Sequence, residues 1–90
     1  MSILWPEGAP FGATLSFDFD AEEVWIGEDR ANRDRPGVLS QGAYGPRVAV
    51  PLILDLLQRT GVSATFFVCG KDALRHPESI RSILAAGHEI

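Results

Sequence analysis

Basic runs, long apolar stretches and cysteine pairs are all missing from this chain, and each absence removes a class of function. Eight Lys and Arg face twelve Asp and Glu over 90 residues, for a formal charge of −4. With no run of cations anywhere, neither a nucleic-acid backbone nor an anionic membrane surface is the expected partner, and a small or neutral ligand suits the chain better. The single cysteine, Cys69, excludes an internal disulfide and a cysteine zinc site. The opening MSILWPEGAPFG has neither the basic start nor the apolar stretch of a secretory leader, so a cytoplasmic location is the expectation. Nothing approaches the roughly 20 apolar residues of a membrane span. What remains, 46% hydrophobic and 22% charged, describes an ordinary globular chain of one domain at most.

Residues 13 to 19, ATLSFDF, alternate: Leu15, Phe17 and Phe19 fall on one face, and Ser16, Asp18 and Asp20 on the other. That period of two predicts a strand. From Ala21 to about Tyr44 charge, Gly and Pro dominate without helical or strand periodicity, which predicts a long irregular loop. Val48, Leu52, Ile53, Leu56 and Leu57 then form an apolar stripe at helical spacing, with Gly61 placed as a C-terminal cap. Pro51 sits badly in a helix interior, so either the first turn is irregular or the regular helix starts near Pro51. ATFFVCG, 64 to 70, reads as a strand buried on both faces. A helix follows, broken near His76-Pro77 and ended by Gly87, before HEI starts another strand.

This alternation implies parallel strands joined by right-handed crossovers, the α/β class. Two strands and a stub are too few for a covered parallel sheet, so residues 1–90 are expected to be the incomplete N-terminal part of a larger domain.

Ligands in such folds bind where the strands end. Asp18 and Asp20 lie there, i and i+2 on one side, with Cα atoms ~6.6 Å apart by strand rise. One carboxylate can hold a cation while the other reaches a bound water. Spacing alone equally allows two solvated acids that cap the next turn.

LSFDFDAE, then YGPRVAVPLILDLLQRTGVSATFFVCG, then HPESIRSILAAGHEI resembles the first part of the polysaccharide deacetylase family, from about Ala13 to Ile90. The FDFDAE form is similar to the branch holding peptidoglycan-deacetylase-like proteins and metal-independent allantoinases. The resemblance implies the N-terminal βαβα portion of a distorted (β/α) barrel that hydrolyses a carbon-nitrogen amide bond. It assigns Asp18 as general base on the attacking water and Asp20 as ligand of a divalent metal, zinc by expectation, completed by two histidines in a His-x-x-x-His arrangement that does not occur in these 90 residues. The metal is therefore expected in the complete domain, and the 90 residues alone are expected to be inactive.

Substrate-binding candidates on the same resemblance are Glu22, Tyr44 and Arg47. Glu22 either serves substrate or the orientation of its loop, or is a solvated loop acid. Trp25 either lines a groove or anchors the loop on the core. His88 is expected to be structural and hydrogen-bonded to backbone, His76 to mark a helix boundary on the surface, and Cys69 to be core packing. The expected substrate is an N-acetylated sugar in an open groove or a small cyclic amide in a closed pocket, and the full-length form is expected to be a homo-oligomer. The competing class is a non-catalytic binding module that recruits a partner through its exposed strand edges.

Overall fold

The computed structural model describes residues 2–90. Strand β1, Ser16–Phe19, pairs in parallel with β2, Thr65–Val68, in the register Ser16↔Thr65 through Phe19↔Val68. A parallel bridge from Thr65 to Glu89 begins a third strand on the far side of β2. The βαβα order and the parallel sense both agree with the alternating sequence pattern.

Helix α3, Val50–Thr60, follows a π-helical stretch, Gly45–Ala49, and Pro51 falls in its first turn. Both readings of that boundary therefore hold: the entry is irregular, and the regular helix starts beside Pro51, where a missing N–H costs nothing. Gly61 ends α3 with φ 69°, a left-handed cap that a Cβ would strain. Helices α4, Gly70–Arg75, and α5, Pro77–Ala85, flank the break at His76, and Gly87 follows with φ 88°.

The core is one cluster of Phe19, Val50, Leu57, Ala64, Phe66 and Ile83, with Ile53, Leu54 and Ile80 packed against it. The apolar face of α3 is therefore Val50, Ile53, Leu54 and Leu57. Of the stripe expected from spacing, Val48, Leu52 and Leu56 point outward, with Leu52 62% exposed. An apolar set that covers most of a helix fits two faces, and packing selects one of them.

Residues 21–44 are not an irregular loop. They form α1, Glu23–Glu28, a 3₁₀ segment, Arg30–Asp34, and α2, Pro36–Gly42. Each is too short for a visible period and buries one residue: Ile26, Asn32 and Gly42 respectively. Local bonds make up for this. Asp29 accepts the Ala31 N–H at 2.9 Å, Asn32 donates to the Trp25 carbonyl at 2.7 Å, and Pro36 starts α2.

The strand expected to be buried on both faces is buried on one. Phe66 is 1% exposed beneath the helices, whereas Phe67 on the opposite face is 60% exposed. Helices cover one side of the sheet, and the side bearing Ser16, Asp18 and Phe67 is open. Among the described residues no helix is long and apolar enough to cross a membrane.

Candidate active site

Alternation along β1 sends Phe17 and Phe19 into the core, where Phe17 stacks on Phe66 at 5.3 Å between ring centroids. The same alternation forces Asp18 onto the open face beside Phe67, its partner in register. Asp20 lies one residue beyond the strand, and both aspartates are exposed. Among the described residues, neither carboxylate forms an ion pair or a side-chain hydrogen bond, so both are free to meet a ligand.

The chain then turns sharply. Ala21 takes φ 36°, a left-handed conformation that costs a residue with a Cβ on the order of 1–3 kcal/mol. Strain of that size persists only where neighbours hold it. One neighbour is Gly42, at the end of α2. A Cβ built there would lie 2.7 Å from Glu22 Cα and 2.9 Å from the Ala21 carbonyl carbon. Another is α4: the Glu23 N–H donates to Asp72 Oδ1 at 3.4 Å, and Glu22 Oε2 lies 2.7 Å from His76 Nε2. Arg75 bridges Glu23 at 2.7 Å and Asp72 at 3.2 Å.

These groups perturb one another. Burial pushes the Glu22 carboxyl up, but the hydrogen bond from His76, its own backbone and the charges of His76 and Arg75 together hold it below the ordinary value. Asp72 is fully buried and its Oδ2 has no partner, so desolvation dominates and raises its pKa despite the Glu23 N–H and Arg75. Arg75 is raised by its hydrogen bond to Glu23, which outweighs burial.

The expected site residues separate into groups. Asp18 and Asp20 share the strand end. Glu22, two residues on, is engaged with His76 and so orients the turn. Tyr44 and Arg47 sit together along another concavity with Ser40, Ala43 and Val48, which neither aspartate lines. Trp25 is half-buried on α1. His88 is buried, and its Nδ1 accepts the Ala64 N–H at 3.1 Å, as expected of a structural histidine. Cys69 is only half-buried, at the end of β2. His76 does mark the helix boundary, but it also holds Glu22, and Asp72 is a buried acid that the sequence reading passed over.

Among the described residues, no three of His, Cys, Asp and Glu gather to hold a metal. Both histidines are committed elsewhere, so residues 2–90 offer a cation carboxylates only, a poor donor set for a transition metal. These residues by themselves do not fit a zinc centre.

Parallel strands, helices on one side and free carboxylates on the other at the carboxyl end of β1 are consistent with a fragment of a (β/α) barrel. A family model for polysaccharide deacetylase matches residues 42–90, and the chain belongs to that family. It is 32% identical over 73 residues to a peptidoglycan deacetylase of Helicobacter pylori, a match that covers 81% of this chain and 25% of that protein. It is 40% identical over 62 residues to a chitooligosaccharide deacetylase of Sinorhizobium fredii, covering 68% of this chain and 29% of the relative. A crystal structure from Mycobacterium smegmatis, described as a polysaccharide deacetylase, superposes with a TM-score of 0.91 at 49% identity, covering 98% of this chain and 31% of that one. The chain thus spans about a quarter of the length of the first two curated relatives it matches, 25% and 23%.

Proposed function

We propose that these residues form the first sector of a deacetylase-like hydrolase of non-peptide carbon-nitrogen bonds, acting on an N-acetylated sugar. The observation that carries this reading is the pair of unengaged carboxylates at the open end of β1, in a chain whose relatives are named for deacetylation. Asp18, fixed on the strand, is the general base. Water adds to the acyl carbon as its proton passes to Asp18, and the proton returns to nitrogen as the carbon-nitrogen bond breaks, leaving acetate and a free amine.

Asp20 would hold one position on a divalent cation, a role that residues 2–90 by themselves cannot complete. Such a cation, when bound, supplies Lewis-acid polarisation. Tyr44 and Arg47, on their separate concavity, would touch only a substrate long enough to reach from the aspartates, and Glu22, held by His76, orients the turn that carries Asp20.

The test is acetate release from an N-acetylated oligosaccharide by the full-length protein, with metal content measured in parallel. Asp18→Asn is expected to lower turnover by about a hundredfold or more at unchanged metal content, the scale of a lost general base. Asp20→Asn lowers metal content as well. Full activity in Asp18→Asn would remove the mechanism.

A further inference from the structure

Cations that are scattered along the sequence converge in the fold. Arg30, Arg33, Lys71 and Arg75 line a single cavity of about 610 Å³, together with Glu23, Ile26 and Gly27. These are four of the eight Lys and Arg in a chain of net charge −4. The geometry of the elements explains the convergence. Arg30 and Arg33 lie three apart on the 3₁₀ segment, where three residues make one turn, so their side chains stack on one face. Lys71 and Arg75 lie four apart on α4 and share a face there. Two cation pairs, each sharing one face of its element, thus line one concavity with the start of α1.

Unpaired cations concentrate in this cavity. Outside it, Arg35, Arg59 and Arg81 each have a carboxylate partner, Asp29, Asp55 and Glu78, and among the described residues only Arg47 has none. Among the described residues, Arg30, Arg33 and Lys71 have none. The cavity's one acid, Glu23, is taken by Arg75 at 2.7 Å. Three exposed, uncompensated cations therefore face one concavity, with like-charge repulsion that an anion would relieve.

We propose that this cavity is a binding site for a small polyanion bearing phosphoryl or carboxylate oxygens, held by the Arg30 and Arg33 guanidiniums and the Lys71 ammonium. Guanidiniums offer paired N–H donors that match either oxyanion, and Arg75, locked by Glu23 and Asp72, is a fixed wall rather than a ligand. The site is distinct from the Asp18 and Asp20 carboxylates and stands whatever reaction they serve.

The test is calorimetric titration of the full-length protein at constant ionic strength with pyrophosphate and, separately, citrate. Saturable binding at one site is expected, weakened about tenfold or more by Arg33→Gln and again by Lys71→Gln, the scale of a lost charge-assisted contact. Arg59→Gln, a cation outside the cavity, leaves it unchanged. Tighter pyrophosphate than citrate marks a phosphoryl ligand, and the reverse a carboxylate one. Because Arg33 and Lys71 are exposed, folded variants are expected, and circular dichroism confirms them. No saturable binding of either probe, or binding that Arg33→Gln, Lys71→Gln and Arg59→Gln weaken equally, would overturn the proposal.

Discussion

Replacing Gly42 by alanine sets two opposed effects against each other, and the structure says which wins. Alanine is favoured over glycine inside a helix by about 0.8–1 kcal/mol, and that gain is partial at the last residue of α2. Against it stands contact with Glu22 Cα at 2.7 Å, Glu22 N at 2.8 Å and the Ala21 carbonyl carbon at 2.9 Å. All three are backbone atoms, which cannot swing aside as a side-chain tip does. Overpacking of this kind costs about 1–3 kcal/mol, so a net loss of about 1–2 kcal/mol is expected. Gly37, in the first turn of the same helix, has nothing within 4 Å of a built Cβ, so Gly37→Ala should be neutral or gain up to about 1 kcal/mol. Urea unfolding of both variants in the full-length protein measures the difference. Hydrogen exchange at the Val24 and Ile26 amides, which bond to the Asp20 and Glu22 carbonyls, reports whether the turn has moved. Gly42→Ala as stable as Gly37→Ala, with unchanged exchange, would refute the close-approach argument.

Glu22→Gln tests the His76 contact through pH. The folded pKa of Glu22 is depressed, so its stabilisation is complete above the ordinary value of 4.5 and is lost as pH falls through the lower folded value. The stability gap between native protein and variant should close in acid, and a constant gap would contradict the pairing. Asp72 has the opposite sign: its raised pKa makes its contribution greatest below the ordinary value of 3.8 and smaller as pH rises through the folded value. Asp72→Asn should therefore compare best with the native protein at neutral pH, as read from melting temperatures across pH. Ile83→Ala, at a fully buried position, should cost about 2–5 kcal/mol in denaturant unfolding, whereas Leu84→Ala, 53% exposed, should stay within about 0.5 kcal/mol.

Elements whose residues repeat over several turns were legible in the sequence. The alternation through Phe17, Asp18 and Phe19 predicted both β1 and its exposed carboxylate face. Gly61 and Gly87 marked where α3 and α5 end, since left-handed residues are costly for anything but glycine. Residues 23–42 hid their helices because Asp29, Asn32 and Pro36 hold them by caps and local bonds, which leave no periodic trace. The face of α3 was misassigned for another reason: Leu52 and Leu56 are as apolar as Ile53 and Leu57, and only the position of Phe66 and Ile83 decides between them. Around the site, Asp18 and Asp20 stood out because they interrupt an apolar strand. The Glu22 and His76 contact spans more than half the chain, and a single glutamate and histidine at that separation carry no mark of their pairing.

The parallel pairing of β1 with β2 has a consequence for the order of assembly. Ser16 meets Thr65 only after the chain between them is closed, a span of about 50 residues that costs roughly 3.5 kcal/mol in loop entropy before any contact repays it. From α3 onward the neighbours are sequential: α3 leads into β2, β2 into α4, and α5 returns to bring Glu89 beside Thr65. Local contacts form fast and long-range parallel pairing forms late, so the segment from α3 to Glu89 is the expected nucleus and β1 its last recruit. The strand that brings Asp18 and Asp20 is then also the first to detach under mild denaturant. Loss of the β1 and β2 pairing should precede loss of helix signal in an unfolding titration, with the chain passing through a state whose helices persist while Asp18 and Asp20 are no longer held in place.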